Sequence, residues 1–240
     1  MELLTLVTNR KQAKQIHQGL TATSKMPCKS YNTPAIMCNV GSKLVNIKGS
    51  TCSGCYALKG NYLKYAKTII PAGMRRYESI KSNPQWIEAM AFDINYEYNK
   101  FGIDVFRWHD SGDLIDVEHL QKISKVAELT PNVKHWLPTR EYKIVNDYME
   151  VNTKPKNLII RLSAHMLDTA PPKSKYNLPT STVSTKPLNE INYKTFKCPS
   201  RKQDGQCLDC RACWKTEVKN VAYANCLLYT SPSPRDRTRS

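Results

Sequence analysis

Residues 104–139 read DVFRWHDSGDLIDVEHLQKISKVAELTPNVKHWLPT, and this stretch decides the fold. Asp104 to Trp108 is a short run of branched and aromatic side chains, which suits a strand. Val117 to Leu129 places Leu120, Ile123, Val126 and Ala127 on one helical face. Val133 to Leu137 reads as the next strand, Tyr142 to Met149 as a short helix, and Leu158 to Leu162 as a further strand. Strands alternating with helices predict βα units and a parallel sheet. The fold class is therefore α/β, as a complete or partial (β/α) barrel, with an open doubly wound sheet as the other architecture of this pattern. The barrel is preferred because chemically capable residues recur at successive strand ends.

Working outward, Asn83-Pro84 opens an earlier helix, since Asn caps and Pro suits a first turn. Trp86, Ile87, Met90, Ala91, Ile94 and Tyr98 then recur at helical spacing. Residues 1–20 read as an extended segment followed by a short polar helix. Residues 24–62 show no clean period and read as an irregular lobe organised by metal. Residues 168–200 carry Pro171, Pro172, Pro179 and Pro187 and read as an extended loop. The chain is a single domain over 1–226, with Cys-rich lobes at 24–62 and 198–214. Leu227 to Ser240 reads as the translation of a sequencing adapter and is set aside from the fold.

Eight of the nine cysteines fall into two groups of four. The first is Cys28, Cys38, Cys52 and Cys55. The second is Cys198, Cys207, Cys210 and Cys213. Thiolates two residues apart grip one soft metal from a tight turn, and four complete a zinc site or hold an iron–sulfur cluster. Zinc is the simpler expectation, and the groups either form two sites or pool into one. A disulfide scaffold belongs to small secreted chains, and the apolar run at the N-terminus is too short for a signal peptide or a membrane span. The expected setting is the reducing host cytoplasm, without membrane.

The formal net charge is +16. The tail contributes Arg235, Arg237 and Arg239 against Asp236, so the chain stays strongly basic without it. A field of this size favours polyanions, with nucleic acid the first candidate partner. Lys59, Tyr62, Arg75 and Arg76 interleave basic and aromatic side chains, as stacking on bases and pairing with phosphates require. The catalytic candidates lie after the strands: His109, Asp110 and Asp113, then Arg140 and Glu141, then Arg161. A histidine beside carboxylates suits acid–base or nucleophilic chemistry, and guanidinium groups suit anions.

The chain resembles the phage gene product 88 family. The resemblance is carried by Met26-Pro27-Cys28, the run from Lys48 through Cys52 and Cys55 to Tyr62, Phe106 to Asp113, Trp136 to Glu141, and Cys207-x2-Cys210-x2-Cys213-Trp214. It implies a phage or plasmid origin and no particular reaction. Leu137 to Arg140 and the C-terminal cysteines are similar to parts of the guanine transglycosylase fold. That likeness implies base exchange in nucleic acid, with Asp110 or Asp113 as nucleophile and structural zinc, although the cysteine spacing differs and no histidine follows Cys213. Cys52-x2-Cys55-Tyr56-Ala57 is similar to the radical S-adenosylmethionine barrels, whose cluster motif is Cys-x3-Cys-x2-Cys; residue 48 is Lys here, so Cys28 or Cys38 would substitute from a distance. The leading expectation is a metal-binding enzyme modifying nucleic-acid bases by transglycosylation. An iron–sulfur enzyme using S-adenosylmethionine and a non-catalytic zinc-stabilised binding protein are the alternatives.

Overall fold

The computed structural model describes residues 7–58 and 64–225. The expectations at Lys59, Tyr62 and Cys226, and for the 227–240 tail, lie outside these residues. The sheet has eight strands: β1 (Thr21–Ala22), β2 (Lys29–Tyr31), β3 (Val105–Trp108), β4 (Lys134–Thr139), β5 (Leu158–Ser163), β6 (Thr180–Ser184), β7 (Phe196–Lys197) and β8 (Asn220–Ala224). Their spatial order is β1-β2-β3-β4-β5-β6-β8-β7. Only β1 and β2 pair antiparallel; every other neighbour is parallel. Each strand from β2 to β6 adds on the same side of the last. Among the described residues β1 and β7 remain edges, so the expectation of a complete barrel gives way to an α/β fold with a mostly parallel open sheet.

The helices are α1 (Arg10–His17), α2 (Asn39–Leu44), α3 (Ala66–Ser82), α4 (Trp86–Phe101), α5 (Val117–Leu129) and α6 (Tyr142–Val151). Asp116 caps α5 by accepting from the His119 N–H at 2.8 Å. Asn83 sits at the α3–α4 junction and accepts from the Gln85 N–H at 2.9 Å, one residue before α4. No helix of the described residues is long and apolar enough to cross a membrane.

The alternation of side chains along the strands separates two cores. Phe106, Trp108, Leu137, Ile160 and Leu162 join Trp86, Met90, Ile94, Leu120 and Ile123 from the helices. On the opposite face Val105, Trp136 and Val221 pack with Cys28, Cys213 and Trp214. Five strands, β1, β2, β6, β7 and β8, were not expected from sequence. β6 lies inside the segment read as a loop, because Thr-Ser-Thr-Val-Ser has no apolar alternation. Its hydroxyls are paired within the sheet instead: Thr180 donates to Asn220 at 2.8 Å and Ser181 to Ser163 at 3.1 Å. β2 lies inside the lobe read as irregular. Pro138 is tolerated within β4 because the ladder with β3 ends at Trp136, so its missing donor falls beyond that ladder.

His135 is part of the helix-side core, facing away from Trp136 as its strand position requires. Its Nδ1 accepts from the Trp108 indole N–H at 3.2 Å, and its Nε2 lies 2.8 Å from the Thr130 hydroxyl. That hydroxyl already donates to the Val126 carbonyl at 2.7 Å, so Nε2 is the donor and the ring is neutral. Burial holds His135 and His119 down to about 3. The unfolded chain therefore binds protons that the folded chain refuses. Stability present above the ordinary histidine value of about 6.5 falls as pH drops toward 3, by about 1.4 kcal/mol per pH unit for each ring. Urea unfolding measured between pH 7 and about 5 is expected to show this slope, and His135→Gln to remove one ring's share of it.

Candidate functional site

The C-terminal ends of the parallel strands carry the polar residues singled out from sequence, which is where α/β folds place their sites. The turn after β3 is pinned to the exit of β2. Thr33 N–H donates to Ser111 O at 3.2 Å, and the Thr33 hydroxyl to Asp113 O at 2.9 Å. Gly112 has φ +78°, and a Cβ there would fall on the hydroxyl and carbonyl of Thr33. Asp113 is buried and organises the next strand end. It accepts from Leu114 N–H at 2.8 Å, the Thr139 hydroxyl at 2.5 Å and Arg140 N–H at 2.9 Å. Burial raises its pKa, against the pull of these donors. Asp110 is also buried and accepts from the Ser30 hydroxyl at 2.8 Å.

His109 is the unpaired exception among these groups. Its backbone has φ +56°, an uncommon conformation for a residue with a side chain. Its ring is buried, lies 5.4 Å from that of His119, and neither of its nitrogens has a partner among the described residues. Burial pulls its pKa well below the ordinary value, with His119 and Arg107 adding to the effect, so it is neutral at pH 7.

The loop after β2 brings Cys38, Cys52 and Cys55 to the same end of the sheet. Glu141 fixes Cys38 by accepting from Val40 N–H at 2.8 Å in the first turn of α2. Thr51 fixes Cys52: its N–H donates to His165 O at 2.8 Å, and its hydroxyl accepts from Arg140 Nε at 2.9 Å. The Arg140 guanidinium is thereby a positive neighbour of the Cys52 thiol. Gly41 leaves a cradle between the sulfurs. A Cβ placed there would be 2.9 Å from Cys38 Cβ, 3.6 Å from Cys38 Sγ and 3.8 Å from Cys52 Sγ.

Cys28 departs from the expected grouping. It packs with Cys198 and Cys213 on the other face of the sheet, and its charged neighbours are Arg107, Cys207 and Arg211. Cys207 in turn neighbours Cys198 and Cys210. The sulfurs thus divide three and five. Burial pushes Cys28 and Cys213 up to about 12 and raises Cys38, Cys52 and Cys207. All eight described cysteines are free of disulfides. Among the described residues no three Cys, His, Asp or Glu side chains gather as the ligands of a single ion do. All of these cysteines except Cys28 line one cavity of about 610 Å³, together with Arg107, His109, Trp136 and Tyr223.

The remaining candidates take structural posts. Arg161 is fully buried on β5 and donates to the carbonyls of Thr180 (2.8 Å), Val218 (3.1 Å), Ala212 (3.4 Å), Cys213 (3.5 Å) and Lys215 (3.1 Å). Arg76 donates to Gly19 O at 2.9 Å and Asn32 Oδ1 at 2.5 Å, while Arg75 is exposed on α3. Sequence reasoning missed Thr51, Gly41 and Arg107. Thr51 and Gly41 act through backbone proximity, which leaves no periodic or charge signal. Arg107 sits inside a strand, 4.8 Å over the Trp136 ring and 3.6 Å from Met26 Sδ.

Arg161→Met keeps the length of the side chain but leaves its buried carbonyl partners without donors. It is expected to lower stability by at least about 3 kcal/mol, read by urea unfolding.

Comparison with known proteins gives one match, a family model described as gene product 88, over residues 3–216. No curated protein and no solved structure matches the chain.

Proposed function

The chain belongs to the phage gene product 88 family, and from the grouping of its sulfurs we propose an iron–sulfur enzyme that uses S-adenosylmethionine and acts on nucleic acid in the host cytoplasm. The observation that carries this reading is the trio Cys38, Cys52 and Cys55 at the C-terminal strand ends, beside the cavity. Three thiolates leave a four-position centre with one position for a substrate or co-substrate. The Gly41 cradle and the raised thiols fit a bound cationic group that replaces their protons. A zinc ion with Zn–S bonds of about 2.3 Å would hold its sulfurs about 3.8 Å apart, and no such convergence exists among the described residues. An iron–sulfur cluster binds each cysteine through a different iron and so suits wider spacing. When bound, such a cluster supplies an electron for the cleavage of S-adenosylmethionine.

The chain's own residues prepare the place. Arg140 sets a positive charge beside Cys52, favouring its thiolate form. Glu141 and Asp113 hold the two turns that carry Cys38 and Arg140. The net charge of +16 favours a polyanionic substrate. A transglycosylase reading is less well supported, because the oxygens of Asp113 are occupied by three donors and Asp110 is buried against Ser30.

Protein purified without oxygen is expected to contain iron with matching sulfide and to cleave S-adenosylmethionine when reduced. Cys38→Ser, Cys52→Ser and Cys55→Ser should each abolish that cleavage. Gly41→Ala, favourable for an α-helix by up to about 1 kcal/mol, should keep the fold but lower the iron content by filling the cradle. A colourless zinc protein whose turnover depends on Asp110 or Asp113 would replace this reading with base exchange. Zinc with nucleic-acid affinity and no turnover would leave a binding protein.

A further inference from the structure

The division of the sulfurs leaves five around Cys207, and Cys28 is the one drawn from the far end of the chain. Four observations place it there. Cys28, Cys198 and Cys213 share one apolar cluster with Trp136, Trp214 and Val221. The Cys207 N–H donates to Lys25 O at 3.0 Å, and the Cys207 sulfur lies 3.8 Å from Met26 Sδ, so the Cys207 turn is docked on the segment that leads into Cys28. Cys28 and Cys207 have the same two cationic neighbours, Arg107 and Arg211. The Arg107 backbone N–H is directed at the Cys28 sulfur, as amide donors are at metal-bound thiolates.

We propose that Cys28, Cys198, Cys207 and Cys213 are the four ligands of a second, closed thiolate centre that clips the C-terminal lobe to the start of β2. This rests on the reading that the cysteines hold iron–sulfur centres, since the sulfurs do not converge on a single ion among the described residues. Four thiolates around a cluster carry excess negative charge, and Arg107 and Arg211 are placed to offset it. With every position filled by protein, the centre is structural or carries electrons, whereas the Cys38 trio keeps the position for a ligand. Buried thiols would otherwise remain protonated against an apolar wall, so metal binding also stabilises the docking of residues 198–214.

The test separates the two centres. The Cys38→Ser/Cys52→Ser/Cys55→Ser variant of the full chain, loaded with iron and sulfide, should retain one centre. Adding Cys28→Ser should strip it, as adding Cys207→Ser does, while adding Cys210→Ser should leave it. Retention of metal after Cys28→Ser would overturn the assignment. The metal's identity bears separately on the proposed reaction. Because serine variants at buried sites risk misfolding, the wild-type chain supplies a second readout by alkylation and mass spectrometry. Cys28 and Cys207 should be protected together when loaded and become reactive together after chelation. If chelation exposes Cys207 but leaves Cys28 as unreactive as before, Cys28 is shielded by packing and is not a ligand.

Discussion

The interaction on which the architecture depends is the guanidinium of Arg161. A cation with no solvent access needs every donor matched, because an unpaired buried charge is far more costly than a paired one. Here the two terminal nitrogens are matched by backbone carbonyls drawn from β6 and from the segment 212–218, and only Nε has no partner among the described residues. One side chain on a central strand therefore dictates where the cysteine-bearing C-terminal segment lies. Trp214 completes the arrangement by donating its indole N–H to Phe106 O at 2.8 Å and packing edge-on to Trp136 at 5.2 Å. The wall of the cavity is the consequence, since Trp136 and Cys213 both belong to it.

The opposite end of the cavity depends on a carboxylate used in the same manner. Asp113 ties the end of β3 to the end of β4, and Gly112 allows that turn to touch Thr33 at the exit of β2. Arg140 and Glu141 then extend from the tied strand end to the two halves of the Cys38 trio. The polar residues at these strand ends thus hold one another and the neighbouring turns in place. Their polarity is needed because strand ends expose backbone donors and acceptors that must be satisfied where water is excluded.

The central βαβαβ unit was legible because Leu120, Ile123 and Val126 repeat at helical spacing between short segments rich in branched and aromatic side chains. β6 was not legible, because its buried residues are hydroxyl-bearing and are stabilised by cross-strand pairing that no local pattern announces. The residue types of the site were legible in the same way: eight cysteines and the polar strand ends could be named from sequence. Their partition could not. Cys28 lies closer in sequence to Cys38 than to any other cysteine, yet it precedes β2 and packs with Cys213 and Trp214, whereas Cys38 follows β2 beyond the other end of that strand. Arg161 was misassigned for a related reason, since a guanidinium satisfied by carbonyls and one waiting for an anion have the same one-dimensional surroundings.

The two sulfur groups occupy unlike electrostatic settings, and this difference gives them unlike chemistry. The trio has Asp113 and Glu141 among its charged neighbours, with Arg140 opposing them at Cys52. The group around Cys207 has Arg107 and Arg211 and no carboxylate among its leading electrostatic neighbours. A centre flanked by carboxylates gains from a ligand that brings positive charge, as a sulfonium does; a centre flanked by guanidinium groups is already compensated and gains from being closed. One cavity reaches residues of both groups, so in the proposed reading a cationic co-substrate would be drawn toward the carboxylate-flanked trio and a polyanionic substrate toward the guanidinium-flanked group, before any contact specific to either is made.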